Sequence, residues 1–149
     1  MKTILFPTDF SPLGDAALEY AAALARDSQG ELLIVHTEEP GATYVIGETY
    51  YYGAAIPGSV ELRKLLDAVK PKDANVRCRH ILAHGNPADE IVRLANEEHV
   101  DAIVMATHGR TGLTHLLMGS VAEAVVRSAG CPVLTFKAGQ NAAPEVTVS

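Results

Sequence analysis

The chain predicts an α/β fold in which a parallel sheet is covered by helices on both faces. Three observations lead there. Short apolar runs bounded by turn residues alternate with segments of helical periodicity, from Thr3 to Phe136. The clearest run, Leu32-Leu33-Ile34-Val35, is continuously apolar and too short for a helix, as expected of a strand covered on both sides. Finally, no internal repeat or low-complexity block interrupts the alternation, and strands that alternate with helices build parallel sheets through right-handed crossovers.

Each element carries its own local signal. Thr3-Ile4-Leu5-Phe6 reads as a first strand, ended by Pro7; Asp9 or Ser11 can cap the next helix, and Pro12 suits a first turn. Ala17, Leu18, Ala21, Leu24 and Ala25 recur at helical spacing between Leu13 and Asp27, and Gly30 is the expected C′ residue. The second strand is Glu31 to Thr37. Residues 38–58, with Pro40, Pro57, Gly41, Gly47, Gly53, Gly58 and the tyrosines Tyr44, Tyr50, Tyr51 and Tyr52, read as a long irregular insertion. A helix is predicted from Val60 to Val69. Asn75 to Ala83 alternates and suits a strand near a sheet edge. In Gly85-Asn86-Pro87, Asn86 is the expected N-cap and Pro87 the first residue of a helix that runs to about Glu98. Asp101 to Met105 is the fourth strand, Ser120 to Ser128 a helix, and Cys131 to Phe136 the fifth strand. The reading is one domain over 1–138, with 139–149 a mobile tail.

Composition narrows the function. The chain has 149 residues and 48% hydrophobic content, enough for one core. A net charge of −6 leaves no general electrostatic grip on nucleic acid or anionic membrane. No apolar run approaches the roughly 20 residues that span a bilayer, and Pro7-Thr8-Asp9 cuts short the apolar start, unlike a signal peptide. The expected location is cytoplasmic. Cys78 and Cys131 lack disulfide-framework or zinc spacing and read as reduced thiols.

The chemistry concentrates between Ile103 and Val121, where a strand passes through Gly109 and Gly112 into a helix that starts at Gly119-Ser120. Glycines let a ligand approach the main chain, and the amides of a helix N-terminus suit an anion. For the glycines alone, a plain loop and helix start is the favoured reading. There is no Gly-Lys-Ser/Thr of a Walker loop and no early dinucleotide fingerprint. Asp9, after the first strand, can accept from a base amino group or a ribose hydroxyl, or else cap a helix. His108 and Arg110 are candidate phosphate contacts or ordinary loop residues. The remaining histidines, His36, His80, His84, His99 and His115, form no i, i+4 metal pair. Neither Ser11 nor Ser120 has a patterned base that would make it a nucleophile. The loops bearing Asp9, Thr37 and Gly109 all come after strand ends and can meet in one cleft.

With these residues assembled, the chain resembles a small single-domain universal stress protein. The resemblance runs from Ile4-Leu5-Phe6-Pro7-Thr8-Asp9 through Gly85-Asn86-Pro87-Ala88 to Cys131-Pro132-Val133-Leu134, and is most specific at Met105-Ala106-Thr107-His108-Gly109-Arg110-Thr111-Gly112 and Gly119-Ser120-Val121-Ala122. The family's ATP-binding branch carries Gly-x2-Gly-x9-Gly-Ser/Thr; here Gly109, Gly119 and Ser120 match, and Ala106 stands at the first glycine. If residue 106 has strand dihedrals, its methyl costs little; if it needs positive φ, the cost is on the order of 1 kcal/mol or more.

The resemblance implies a Rossmann-like three-layer α/β/α fold with a five-stranded parallel sheet and a homodimer built partly through Val133 to Phe136. It also implies an ATP site. The Thr37 backbone and the Asp9 side chain, with Thr8 beside it, would face adenine and ribose. Pro7 and Met105 would form the wall, with Ala106 at its edge, and Gly109, Gly119, Ser120 and Val121 would hold the phosphates. Any Mg2+ or Mn2+ would be held mainly by phosphate oxygens. The function expected is a nucleotide-dependent stress-response switch with slow or no hydrolysis, because no general base is poised for water. The alternative is a dimeric adaptor that has lost nucleotide binding through Ala106.

Overall fold

A computed structural model describes residues 2–40, 44–46, 48–51, 58–107, 118–137 and 145–148. The strands are β1 (Thr3–Pro7), β2 (Glu31–Glu38), β3 (Tyr44–Ile46), β4 (Thr49–Tyr51), β5 (Arg77–His84), β6 (Ala102–Ala106), β7 (Pro132–Phe136) and β8 (Glu145–Val148). The α-helices are α1 (Asp15–Asp27), α2 (Ser59–Asp67), α3 (Pro87–Glu97) and α4 (Ser120–Ser128), with a 3-10 turn at Pro12–Gly14 leading into α1.

The main sheet runs β5-β2-β1-β6-β7-β8. Its first five strands are parallel, as expected, and β5 stands at the edge. Strand alternation divides the interior into two cores. Ile4, Phe6, Leu32, Ile34, Val104, Leu134 and Phe136 pack against the alanine-rich face of α1 and Leu66 of α2. Leu5, Leu33, Val35, Ile103, Met105 and Val133 turn the other way, onto Ile91, Leu94 and Ala95 of α3 and Ala122 and Val125 of α4. Both faces of the central strands are therefore buried, which is why β2 is apolar without interruption.

Local chemistry sets most of the boundaries. Ser11 adopts extended dihedrals and its Oγ accepts from the Leu13 N–H, so Ser11 is the cap ahead of Pro12. Asn86 caps α3 as expected: its side chain accepts from the Asp89 N–H at 3.1 Å, and Pro87 occupies the first turn. Cys78 and Cys131 are free and partly buried. Burial pushes both thiols above their ordinary pKa, so both stay protonated at neutral pH.

Three expectations are corrected. Gly30 is not the left-handed residue after α1; Gln29 takes that role, with φ 57°. Gly30 is required by proximity instead, because a Cβ there would lie 1.9 Å from the Lys2 carbonyl oxygen, where β1 and β2 begin to pair. Within 38–58, expected to be irregular, β3 and β4 form an antiparallel two-stranded sheet with Ile46 opposite Thr49. Its turn signal, Gly47-Glu48 between two β-rich triplets, is hidden among the surrounding glycines and prolines. Tyr50 in β4 is exposed, and Tyr52 lies outside the described residues. Finally, residues 145–148 of the expected mobile tail form β8, antiparallel to β7 from Pro132↔Val148 to Thr135↔Glu145. The tail carries Val146 and Val148, and an open sheet edge pairs readily with such a segment.

This packing has two measurable consequences. Gly30→Ala should destabilise the fold by about 1–3 kcal/mol, read by urea unfolding, because backbone must move to admit the methyl. An unchanged midpoint would refute the steric role. The edge of β7 covered by β8 is also the edge that a homodimer through Val133 to Phe136 would use. Removing residues 139–149 should therefore raise the dimer fraction in sedimentation velocity, and an unchanged association state would show that β8 does not guard that edge.

Candidate functional site

The order β5-β2-β1-β6-β7 places the reversal of strand order between β1 and β6. Open α/β sheets bind ligands at that point, beyond the carboxyl ends of the strands. The register shows how the opening arises. β1 pairs with β2 as far as Pro7↔Val35, and β6 with β7 as far as Ala106↔Phe136. Between β1 and β6 the pairing stops at Leu5↔Ile103. The two strands thus part company while each still holds its other neighbour. A cleft of ≈ 260 Å³ lies there.

The floor on the β1 side is a tightly bonded loop. The Thr8 N–H donates to the Val35 carbonyl at 2.8 Å. Thr8 Oγ1 accepts from the Phe10 N–H at 3.1 Å and Asp9 Oδ1 from the Ser11 N–H at 2.9 Å. Phe10 holds φ 68°, an unfavourable conformation for a side chain of its size. His36, only 2% exposed, secures it: its Nδ1 lies 2.7 Å from the Thr8 carbonyl oxygen, and its ring centroid lies 4.3 Å from that of Phe10. A carbonyl only accepts, so Nδ1 carries the proton in this bond.

On β2, successive backbone groups point to opposite edges. The Val35 carbonyl faces β1, where it accepts from Thr8, and the Glu38 carbonyl faces β5, where it accepts from the Gly85 N–H at 3.0 Å. Alternation then turns the N–H and C=O of Thr37 toward the β1 side, beyond the last β1 pair. They form a donor and acceptor side by side at the cleft.

The opposite wall is β6 and α4. Ala106 lies within β6, paired with Phe136, and is not among the residues with positive φ. The strand-dihedral alternative therefore holds, and its methyl strains no backbone. The Gly119 N–H donates to the Thr107 carbonyl at 2.6 Å, so the chain re-enters α4 beside the end of β6. Gly119 is the N-cap and offers no side chain, and the first intrahelical bond runs from the Glu123 N–H to the Gly119 carbonyl. The amides of Ser120, Val121 and Ala122 thus stand at a positive helix end without a side-chain cap among the described residues. At α3 the same need is met by Asn86.

Of the residues singled out in the sequence, Pro7, Thr8, Asp9, Thr37, Met105, Ala106, Gly119, Ser120 and Val121 line this one cleft. His108, Gly109 and Arg110 lie outside the described residues. Val35, His36, Pro87, Ile91 and Thr107 also line it, and the sequence pattern does not mark them as site residues. Pro87 is legible as a helix start, and only the packing of α3 beside β2 makes it a wall. Among the described residues no group of three or more His, Cys, Asp or Glu side chains could hold a metal ion, and no helix is long and apolar enough to cross a membrane.

A family model described as the universal stress protein family matches residues 1–137. The chain belongs to the universal stress protein family. It is 35% identical to universal stress protein MJ0531 of Methanocaldococcus jannaschii, over 91% of this chain and 82% of that one. It is 33% identical to universal stress protein MJ0577 of the same organism, over 91% and 94%. The solved structure of MJ0577 superimposes with a TM-score of 0.69 over 94% of this chain and 98% of that one, at 26% identity. A universal stress protein from Archaeoglobus fulgidus, solved in complex with dAMP, superimposes with a TM-score of 0.66 at 27% identity, over 91% of this chain and 97% of that one. These neighbours share the Rossmann-like α/β fold, and the cleft of this universal stress protein lies at its strand-order reversal.

The dihedrals at residue 106 give a direct check. Ala106→Gly should lower stability by about 0.5–1 kcal/mol, as for glycine within any strand. A rise in Tm would mean that the alanine is strained after all.

Proposed function

We propose that this universal stress protein binds ATP in the β1/β6 cleft and acts as a nucleotide-dependent stress-response switch with slow or no hydrolysis. The observation that carries the reading is one cleft with a donor and acceptor pair at one end and uncapped amides at the other. Adenine offers an acceptor at N1 and a donor at N6, which match the Thr37 N–H and C=O. Guanine offers the reverse pattern. Asp9 sits where a ribose hydroxyl donates, between the base and the phosphates. The amides of Ser120 and Val121, beside a Gly119 that leaves room while its own N–H stays on the Thr107 carbonyl, receive the phosphates at the helix N-terminus together with His108, Gly109 and Arg110. A divalent ion, Mg2+ or Mn2+, would be held mainly by phosphate oxygens. The dAMP complex of the Archaeoglobus fulgidus relative supports adenine as the base.

Homodimerisation belongs to the same proposal, through the β7 edge once β8 is displaced or exchanged. The adaptor reading, in which Ala106 abolishes binding, loses its strain argument because residue 106 has strand dihedrals.

Nucleotide extraction from freshly purified protein, with calorimetric titration, tests the proposal. ATP should bind at least about tenfold more tightly than GTP, since guanine would leave the Thr37 pair mismatched. Asp9→Ala should weaken ATP by about tenfold and, through the lost bond from the Ser11 N–H, lower stability by about 0.5–1.5 kcal/mol. Protein that releases no adenine nucleotide and gives no heat with millimolar ATP would make the adaptor the correct reading.

A further inference from the structure

Among the described residues, two buried hydroxyls make no hydrogen bond: Thr37 Oγ1 and Thr135 Oγ1. A buried hydroxyl left without a partner has given up its hydrogen bonds to water for nothing in return, so each needs an explanation. Their positions differ. Thr37 is 6% exposed and lines the cleft at the end of β2. Thr135, in β7, does not line it. On its strand, Thr37 comes after Leu33 and Val35 on the sheet face covered by α3, and Val35 and Ile91 line the cleft beside it.

We infer that the Thr37 hydroxyl is a base-reading group, kept unpaired until a purine enters the cleft and hydrogen-bonds to it. The inference rests on the nucleotide reading proposed above and adds a side-chain contact to the backbone pair. With no competing partner, the hydroxyl has no bond to break when the ligand arrives. The oxygen is closed off from solvent, so it reaches the base by rotating about χ1, which exchanges it with the methyl group within the staggered set. Because a hydroxyl both donates and accepts, it can serve a ring nitrogen or the exocyclic amine. The contact lies at the Thr37 end of the cleft, away from the α4 amides, and so concerns the base rather than the phosphates. The unpaired hydroxyl thus lowers the stability of the empty protein and raises affinity for the ligand.

Thr37→Val keeps shape and backbone and removes only the hydroxyl. It should raise the Tm of the nucleotide-free protein by about 2–4 °C and weaken ATP and AMP alike by roughly three- to tenfold. Thr37→Ser should restore affinity. Thr135→Val should raise Tm in the same way and leave ATP affinity unchanged. A merely structural hydroxyl would not produce opposite signs for stability and affinity. If wild-type protein binds ATP and Thr37→Val binds it equally well, the inference fails and the ATP reading stands. A loss seen with ATP but not with AMP would place the contact at the phosphates and likewise overturn it. Wild-type protein that binds neither nucleotide would overturn both.

Discussion

A strand inside a parallel sheet must have hydrogen-bond partners along both edges, and at the reversal of strand order that requirement cannot be met to the end. β1 connects through α1 to β2 on one side, while its other neighbour β6 leads through α4 to β7. Helices α1 and α4 lie on opposite faces of the sheet, so the chains leaving β1 and β6 turn apart. Their pairing stops at Leu5↔Ile103, short of where either strand ends. Beyond that pair lies backbone with unused donors and acceptors, walled by apolar side chains. The rest of the site elaborates this gap.

Each wall solves a local problem in a way that leaves something for a ligand. After β1, the Thr8 to Ser11 loop bonds to itself, and His36 holds it against the sheet despite an unfavourable φ at Phe10. The loop is thereby fixed before a ligand enters. At α4 the N-cap is glycine, so among the described residues no side chain caps the first-turn amides at the cleft. At α3 the same position is filled by Asn86, whose amide oxygen satisfies the helix internally. Under the proposed function an anion would be held at α4 by local main-chain donors, since a net charge of −6 offers no long-range attraction.

Individual residues show where local reading succeeds and fails. Asn86-Pro87 and Ser11-Pro12 announce helix starts through bonds spanning two or three positions, and both are legible in the sequence. Gly30 stands out there for the wrong reason: a glycine after a helix suggests a left-handed cap, yet its constraint comes from Lys2 across the β1/β2 pair. β8 escapes a local reading because a short Val-Thr-Val segment acquires structure only when an open edge is available. The role of His36 is equally hidden, since its bond to Thr8 crosses 28 positions of sequence.

Periodicity and caps are enough to specify the α/β class and the alternation of the five parallel strands with four helices, because those signals are local and recur within a few residues, while the family and its cleft residues are carried by the resemblance at Met105 to Gly112 and Gly119 to Ala122. Which strands part, which way the Thr37 backbone faces, that Ala106 is unstrained and that β8 covers β7 depend on register between segments distant in the chain. Those relations exist only once the sheet has assembled, since pairing and alternation decide which backbone groups are satisfied and which stay exposed to a ligand.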